Sequence, residues 1–127
     1  MSEKTVAQKL GLKPGKTLLV RQQPDDVAAL IGVLPAGAQL VTAGKKPCAL
    51  ILLFAEDKAA LVRGLSDCKR LLEPGGALWA AYIKGTSTRK TDINRNSIRD
   101  YVATIGLDTV SQIAIDDDWS ALRLKVV

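Results

Sequence analysis

The apolar residues of this chain alternate between short unbroken runs and helical stripes. Ala49-Leu50-Ile51-Leu52-Leu53-Phe54 has the length of a strand and no polar position to turn toward water. Such a run predicts a strand covered on both faces, in the interior of a parallel sheet. Ala77 to Lys84 is again almost wholly apolar and predicts a second interior strand. Between them, Leu61, Leu65, Cys68 and Leu72 are spaced by four, three and four residues, which predicts an amphipathic helix over 57–72 packed on the sheet. The stretch Leu71-Leu72-Glu73-Pro74-Gly75-Gly76-Ala77-Leu78-Trp79 closes that helix, turns at Pro-Gly-Gly and starts the next strand, as a βαβ crossover must.

The same reading extends to both ends. Val6 and Leu10 lie one turn apart in a short helix over 3–10 that Gly11 ends, and Pro14-Gly15 turns the chain into a strand at Thr17-Leu18-Leu19-Val20. Pro24-Asp25-Asp26 starts a second helix with Val27, Leu30 and Ile31 inward and Gly32 near its end, before a weak strand at Ala38 to Val41. After a polar loop rich in Gly, Ser, Thr and Lys/Arg, Ile98, Tyr101, Val102 and Ile105 define a helix stopped by Gly106. Thr109 to Ile115 and Ser120 to Val126 read as strands joined by a turn at Asp116-Asp117-Asp118, so the last strand runs antiparallel to its predecessor. The order is α β α β β α β α β β, with one awkward join. The six residues Thr42 to Pro47 span about 20 Å at most, barely enough for a helix-free parallel crossover.

Composition narrows the class. At 127 residues and 47% hydrophobic content the chain suits one domain, 1–127, with one core and no separate substrate domain. No apolar run spans a bilayer and the N-terminus lacks a signal-peptide core, so a cytoplasmic protein without a membrane partner is expected. Cys48 and Cys68 are twenty residues apart, without CxxC spacing or the cysteine density of a secreted scaffold, and read as two buried thiols. The absence of histidine removes the commonest general base and zinc ligand, leaving Asp, Lys, Tyr, Ser or Cys for any catalysis.

The net charge of +5 is unevenly distributed. Residues 1–21 carry net +4, 22–83 are neutral, 84–99 carry net +4, and 100–127 carry net −3. A basic patch of this kind attracts phosphates, nucleic acid or an acidic protein surface, though a solvated loop has the same composition. With five aromatic residues in all, the chain lacks the exposed aromatic interleaving of single-strand binders, and Trp79 and Tyr82 read as core.

With these elements in place, Leu18 to Arg21, Ala49 to Phe54, Glu73-Pro74-Gly75-Gly76, the 98–105 helix and a final antiparallel strand resemble a shortened class I methyltransferase core. The resemblance implies a three-layer, Rossmann-like, mostly parallel sheet of five to six strands with an antiparallel last strand. The third strand of the full fold would be deleted, which accounts for the short join at 42–47. More closely, the chain resembles a family of small uncharacterised bacterial proteins, a domain of unknown function. The matching residues are Lys9 to Gly15, the run to Phe54, Leu78 to Gly85, Asp92-Ile93-Asn94-Arg95, and Asp116 to Arg123. That resemblance brings no activity with it.

The donor grip of a methyltransferase is absent. Such an enzyme cradles its donor on a Gly-rich loop after the first strand, where bare backbone approaches the ligand, and binds the ribose with an acid after the second. Here the first loop is Arg21-Gln22-Gln23-Pro24-Asp25-Asp26 and the second strand ends Val41-Thr42-Ala43-Gly44, with neither glycine nor acid where they are needed. No cofactor and no catalytic residue are assigned on this reading. Three aspartates in a turn point in different directions and read as solvated or paired to Arg123 or Arg95, so no metal site is expected.

What remains is the basic loop 84–99. It should sit at the carboxyl end of a central strand, where α/β sheets bind ligands, with Arg21 nearby. Lys84, Gly85, Ser87, Thr88, Arg89, Arg95 and Arg21 are the anion-binding candidates. Gly85 frees backbone N–H groups, Ser87 and Thr88 offer hydroxyls, and Arg89 or Arg95 clamps bidentately. The competing reading has Lys84 and Arg95 pairing with Asp92 or Asp116–Asp118 to hold the loop down. The expected function is a noncatalytic module that holds an anionic small molecule or an acidic protein surface. An enzyme with an atypical nucleotide or methyl-donor site, and a nonspecific nucleic-acid binder, are the alternatives.

Overall fold

The computed structural model describes residues 5–126 apart from positions 43 and 45. Its elements follow as α1 (Val6–Leu10), β1 (Thr17–Arg21), α2 (Val27–Ile31), β2 (Gln39–Val41), β3 (Cys48–Ala55), α3 (Lys58–Leu71), β4 (Leu72–Ile83), α4 (Arg95–Ala103), β5 (Leu107–Ala114) and β6 (Trp119–Val126). The strands form one six-stranded sheet in the order β2-β1-β3-β4-β6-β5. Neighbouring strands from β2 through β4 pair in parallel, and β6 is antiparallel to both β4 and β5. Both apolar runs are interior: Ile51 to Ala55 and Leu78 to Ile83 are buried.

Alternation along the strands splits the core into two layers. Leu18, Val20, Leu52, Phe54, Trp79 and Trp119 face α1 and α2. Leu19, Ile51, Leu53, Leu78, Ala80 and Tyr82 face the stripe of α3, Leu61, Leu65 and Cys68, and Ile98 and Val102 of α4. Short α1 is tied to the sheet centre because the Trp79 indole Nε1–H donates to the Leu10 carbonyl at 3.0 Å. Its start is set by Thr5, whose hydroxyl accepts from the Gln8 N–H at 3.2 Å while Gln8 accepts from the Thr5 N–H at 2.9 Å. The helix expected over 3–10 therefore begins at Val6, and residues 3 and 4 lie outside the described ones.

The join at 42–47 works because β2 is only three residues long. Val41 and Ile51 are both level with Leu19, and β3 begins at Cys48. The chain must retreat three residues and pass two strand spacings, about 10 Å each way and ~14 Å in all, inside the reach of six residues. A longer second strand would require a longer connection.

Elsewhere the boundaries differ from the sequence pattern for identifiable reasons. β4 starts at Leu72, opposite Cys48, and Glu73 to Gly76 forms an irregular excursion: two residues of β3 are matched by five of β4. Gly75 has φ +78°, and a Cβ on Gly76 would stand 2.8 Å from the Ala49 carbonyl, so both glycines are required there. α4 begins at Arg95 because Asn94 Oδ1 accepts from the Ser97 N–H at 2.9 Å and Ser97 Oγ accepts from the Asn94 N–H at 2.8 Å. Its first turn is polar, so apolar periodicity could not register it. The irregular segment is accordingly 84–94 and not 84–99, and Arg95 and Arg99 stand one turn apart on a helix. No helix among the described residues is long and apolar enough to cross a membrane.

Candidate functional site

β1, β3, β4 and β5 end at one edge of the sheet, where β6 begins. In the turn after β1, Gln22 takes a left-handed conformation at φ 55°, uncommon for a residue with a side chain. Its carboxamide explains the conformation. Nε2 donates to the Phe54 carbonyl at 2.9 Å and the Ala60 carbonyl at 3.0 Å, while Oε1 accepts from Arg63 Nε at 3.2 Å. The side chain thus fills the gap between the β1 and β3 ends and the first turn of α3. Gly64 leaves room for it, since a Cβ there would lie 3.0 Å from Gln22 Nε2 and 2.4 Å from a methyl of Leu53.

The loop 84–94 is fastened across the adjoining strand ends. The Lys84 N–H donates to the Asp118 carbonyl at 2.8 Å, and Ser87 Oγ donates to the Asp118 carboxylate at 2.7 Å. Arg89 forms an ion pair with Glu56 at 2.9 Å and lies over the Trp119 ring, 5.2 Å from its centroid. Thr91 donates its hydroxyl to the Glu56 carbonyl at 2.7 Å. Asp92 accepts from the Lys58 N–H at 2.7 Å, so the anion at the N-terminus of α3 is the protein's own carboxylate.

The candidate residues therefore separate. Arg21 turns toward the β2 side, donates to the Gly44 carbonyl and stands 4.0 Å from Asp67. Ser87 and Arg89 are occupied by Asp118 and Glu56. Thr88 is exposed. Lys84 and Gly85 line a hollow of about 630 Å³ with Tyr82, Thr86, Gln112 and Ser120. The Arg95 guanidinium lies outside this hollow and reaches one of its lining residues, donating to Gln112 Oε1 at 3.3 Å. Arg95 and Arg99 also flank a smaller groove of about 260 Å³ against Thr109 to Gln112 of β5. Burial pushes the Tyr82 phenol above its ordinary pKa, and the nearby Arg95 charge and a hydrogen bond with Ser120 oppose that shift.

Acidic pairing does hold the loop down, through different residues from those expected. Lys84 and Arg95 have no salt bridge among the described residues. Asp116 instead accepts from the N–H groups of Asp118 and Trp119 at 2.9 and 2.8 Å, shaping its own turn. No cluster of metal-ligating side chains occurs among the described residues. Sequence reasoning missed Gln22 and Glu56, and it gave Asp92 Lys84 or Arg95 as its partner in place of the Lys58 N–H; such distant contacts leave no spacing signal. It also missed a hollow of about 700 Å³ at the opposite end of the strands, bordered by Lys13, Lys16, Arg123 and Glu73.

The fold has solved relatives. A ribosomal protein L11 methylase from Lactobacillus delbrueckii subsp. bulgaricus superposes with TM-score 0.59 at 10% identity, over 94% of this chain and 73% of that one. A DhpI structure in complex with SAH gives TM-score 0.64 at 6% identity, over 95% and 82%. A SAM-dependent methyltransferase from Aquifex aeolicus gives 0.57 at 12%, over 96% and 88%. At such identities the likeness is one of fold. No curated protein sequence matches the chain. A family model described as "Protein of unknown function (DUF3052)" matches residues 7–127.

Proposed function

The chain belongs to the DUF3052 family of proteins of unknown function, and from that premise we propose that it is a noncatalytic binding module built on a methyltransferase-like sheet. Its basic strip, Lys84 together with Arg95 and Arg99 on α4, holds an anion or an acidic surface of a partner protein. The observation that carries this reading is the division of labour at the strand ends. Gln22 and the pinned loop fill the space beside β1 and β3, where a nucleotide-derived donor would need open backbone. Lys84 lines an open hollow and Arg95 lines the adjoining groove and donates to the shared Gln112, neither with a salt-bridge partner among the described residues. Unpaired cations around a concave surface are what an acidic partner requires.

A melting-shift series tests the reading. The methyl donor named in the SAM-dependent relative should leave the melting temperature unchanged, because Gln22 would have to leave three hydrogen-bonded partners to admit it. Oligoglutamate should raise it, since a ligand bound to the native state at ~100 times its dissociation constant adds about 2.7 kcal/mol of stability. Lys84→Ala and Arg95→Ala should each reduce that shift. A donor-induced shift together with no response to any anion would overturn the proposal in favour of an enzyme with an atypical donor site. Binding of duplex DNA that collapses steeply with salt would favour nucleic acid as the partner.

A further inference from the structure

β5 closes one side of the sheet and, among the described residues, pairs only with β6, so one row of its backbone groups has no partner there. Which groups these are follows from the turn. The Ile115 N–H donates to the Trp119 carbonyl at 3.0 Å and therefore points toward β6. Alternate residues of a strand direct their N–H groups the same way, so the amides of Gln112 and Ala114 point outward. Both residues are exposed. The bulge that inserts Val110 between Thr109 and Ser111 breaks regularity on the N-terminal side, leaving 111–115 as the usable edge.

The two faces beside this edge differ in chemistry. Gln112, which shares the hollow with Lys84 and accepts from Arg95, looks to the α4 face. Ile113 and Ile115 look to the other face, where they are half-buried against the Trp119 layer. A strand laid on β5 would place the residues opposite Gln112 and Ala114 toward the cations and the residue between them beside the isoleucines. We infer that this edge accepts an extended peptide segment of a partner protein in which acidic and apolar residues alternate, adding a seventh strand to the sheet. The inference rests on the reading of Lys84 and Arg95 as the basic docking site and names the form its partner takes. A second copy of the same edge is the poorer occupant, because it would bring Lys84 and Arg95 against their own counterparts.

The probe is a short, end-blocked peptide alternating glutamate and valine, titrated into isotope-labelled protein. Binding should shift the Gln112 and Ala114 amide resonances and slow their hydrogen exchange at least tenfold. Arg95→Ala should weaken binding about threefold to fivefold, the range of an exposed ion pair. Ala114→Pro should weaken it about twofold to tenfold while the fold persists, since proline removes an outward N–H that the ladder does not use. A peptide of the same composition with its glutamates and valines in separate blocks should bind more weakly. Equal binding of the block peptide, or binding without protection at Gln112 and Ala114, would overturn strand addition and leave the basic site standing. Failure of every acidic probe, oligoglutamate included, would overturn both.

Discussion

Arg89 places its guanidinium carbon over the Trp119 ring, 5.2 Å from the centroid, while the same guanidinium pairs with Glu56 at 2.9 Å. Trp119 in turn meets Phe54 edge to face at 4.9 Å and 87°. One chain of contacts therefore runs from the loop 84–94, through the first residue of β6, to the central strand β3. The loop has few backbone hydrogen bonds of its own, and this stack adds to the contacts of Ser87, Thr91 and Asp92 that position it relative to the sheet.

Cutting the outermost link should loosen the loop and leave the sheet intact. Arg89→Ala removes an ion pair and a cation–π contact that are both partly exposed, each worth at most about 1 kcal/mol. The expected outcome is a loss of about 1 kcal/mol in denaturant unfolding and faster hydrogen exchange at residues 87–91, with α3 and β3 unchanged. Glu56→Gln should reproduce the exchange effect. Unchanged exchange across the loop would show that the contacts of Asp118, Thr91 and Asp92 hold it without Arg89.

The next link is far costlier. Trp119 is buried, and its ring packs against Phe54 on the inside and Arg89 on the outside. Trp119→Ala should lower stability by ~3 to 5 kcal/mol, the usual range for deleting a buried aromatic ring. Equilibrium unfolding in urea measures this directly, and a loss below ~1 kcal/mol would mean that the ring is not a packing element.

The interior of the fold was legible because each central strand carries its own signal: an apolar run with no polar residue admits no position other than one covered on both faces. Alternation could not fix the edges. β5 is mostly exposed, and its bulge at Val110 breaks the period that would have marked its start at Leu107. The candidate cations were legible as a cluster in sequence, yet their destinations were not. Ser87, Arg89 and Asp92 find partners at Asp118, Glu56 and the Lys58 N–H, contacts made only when three strand ends meet. Gln22 illustrates the limit most plainly. The missing glycine after β1 was visible, but the gap-filling role of its replacement depends on Phe54 and Ala60 arriving from other elements.

Gly64 should be intolerant of alanine although it lies inside a helix. On an exposed helical surface the exchange would stabilise by about 1 kcal/mol through helix propensity. Here the new methyl would stand 2.4 Å from Leu53 Cδ1 and 3.0 Å from Gln22 Nε2. Overpacking of a filled core costs ~1 to 3 kcal/mol, so a net loss is expected in thermal or urea unfolding. A stabilised Gly64→Ala variant would mean that α3 can lift from the sheet without penalty.

Cys68 gives the alkaline limb of the stability profile a specific origin. Burial against the sheet, with Asp67 adding to it and Arg21 opposing it, pushes the thiol from 9.0 to about 12. Below pH 9 the thiol is protonated in both folded and unfolded chains and contributes no pH dependence. Above it the unfolded chain releases the proton while the folded chain retains it, so the folded state binds more protons and stability must fall as pH rises from 9 toward 12. Tyr82 titrates in the same sense, its phenol also being raised by burial, so the two must be separated by substitution. In a Tyr82→Phe background, urea unfolding followed from pH 8 to 11 should show a steeper decline with Cys68 than with Cys68→Ala. In the folded protein near pH 8, Cys68 should resist alkylation until urea unfolds the chain, because the reactive thiolate is suppressed and the side chain is buried. Identical slopes for the two variants, or rapid alkylation of Cys68 without unfolding, would show that the thiol is not confined between α3 and the sheet.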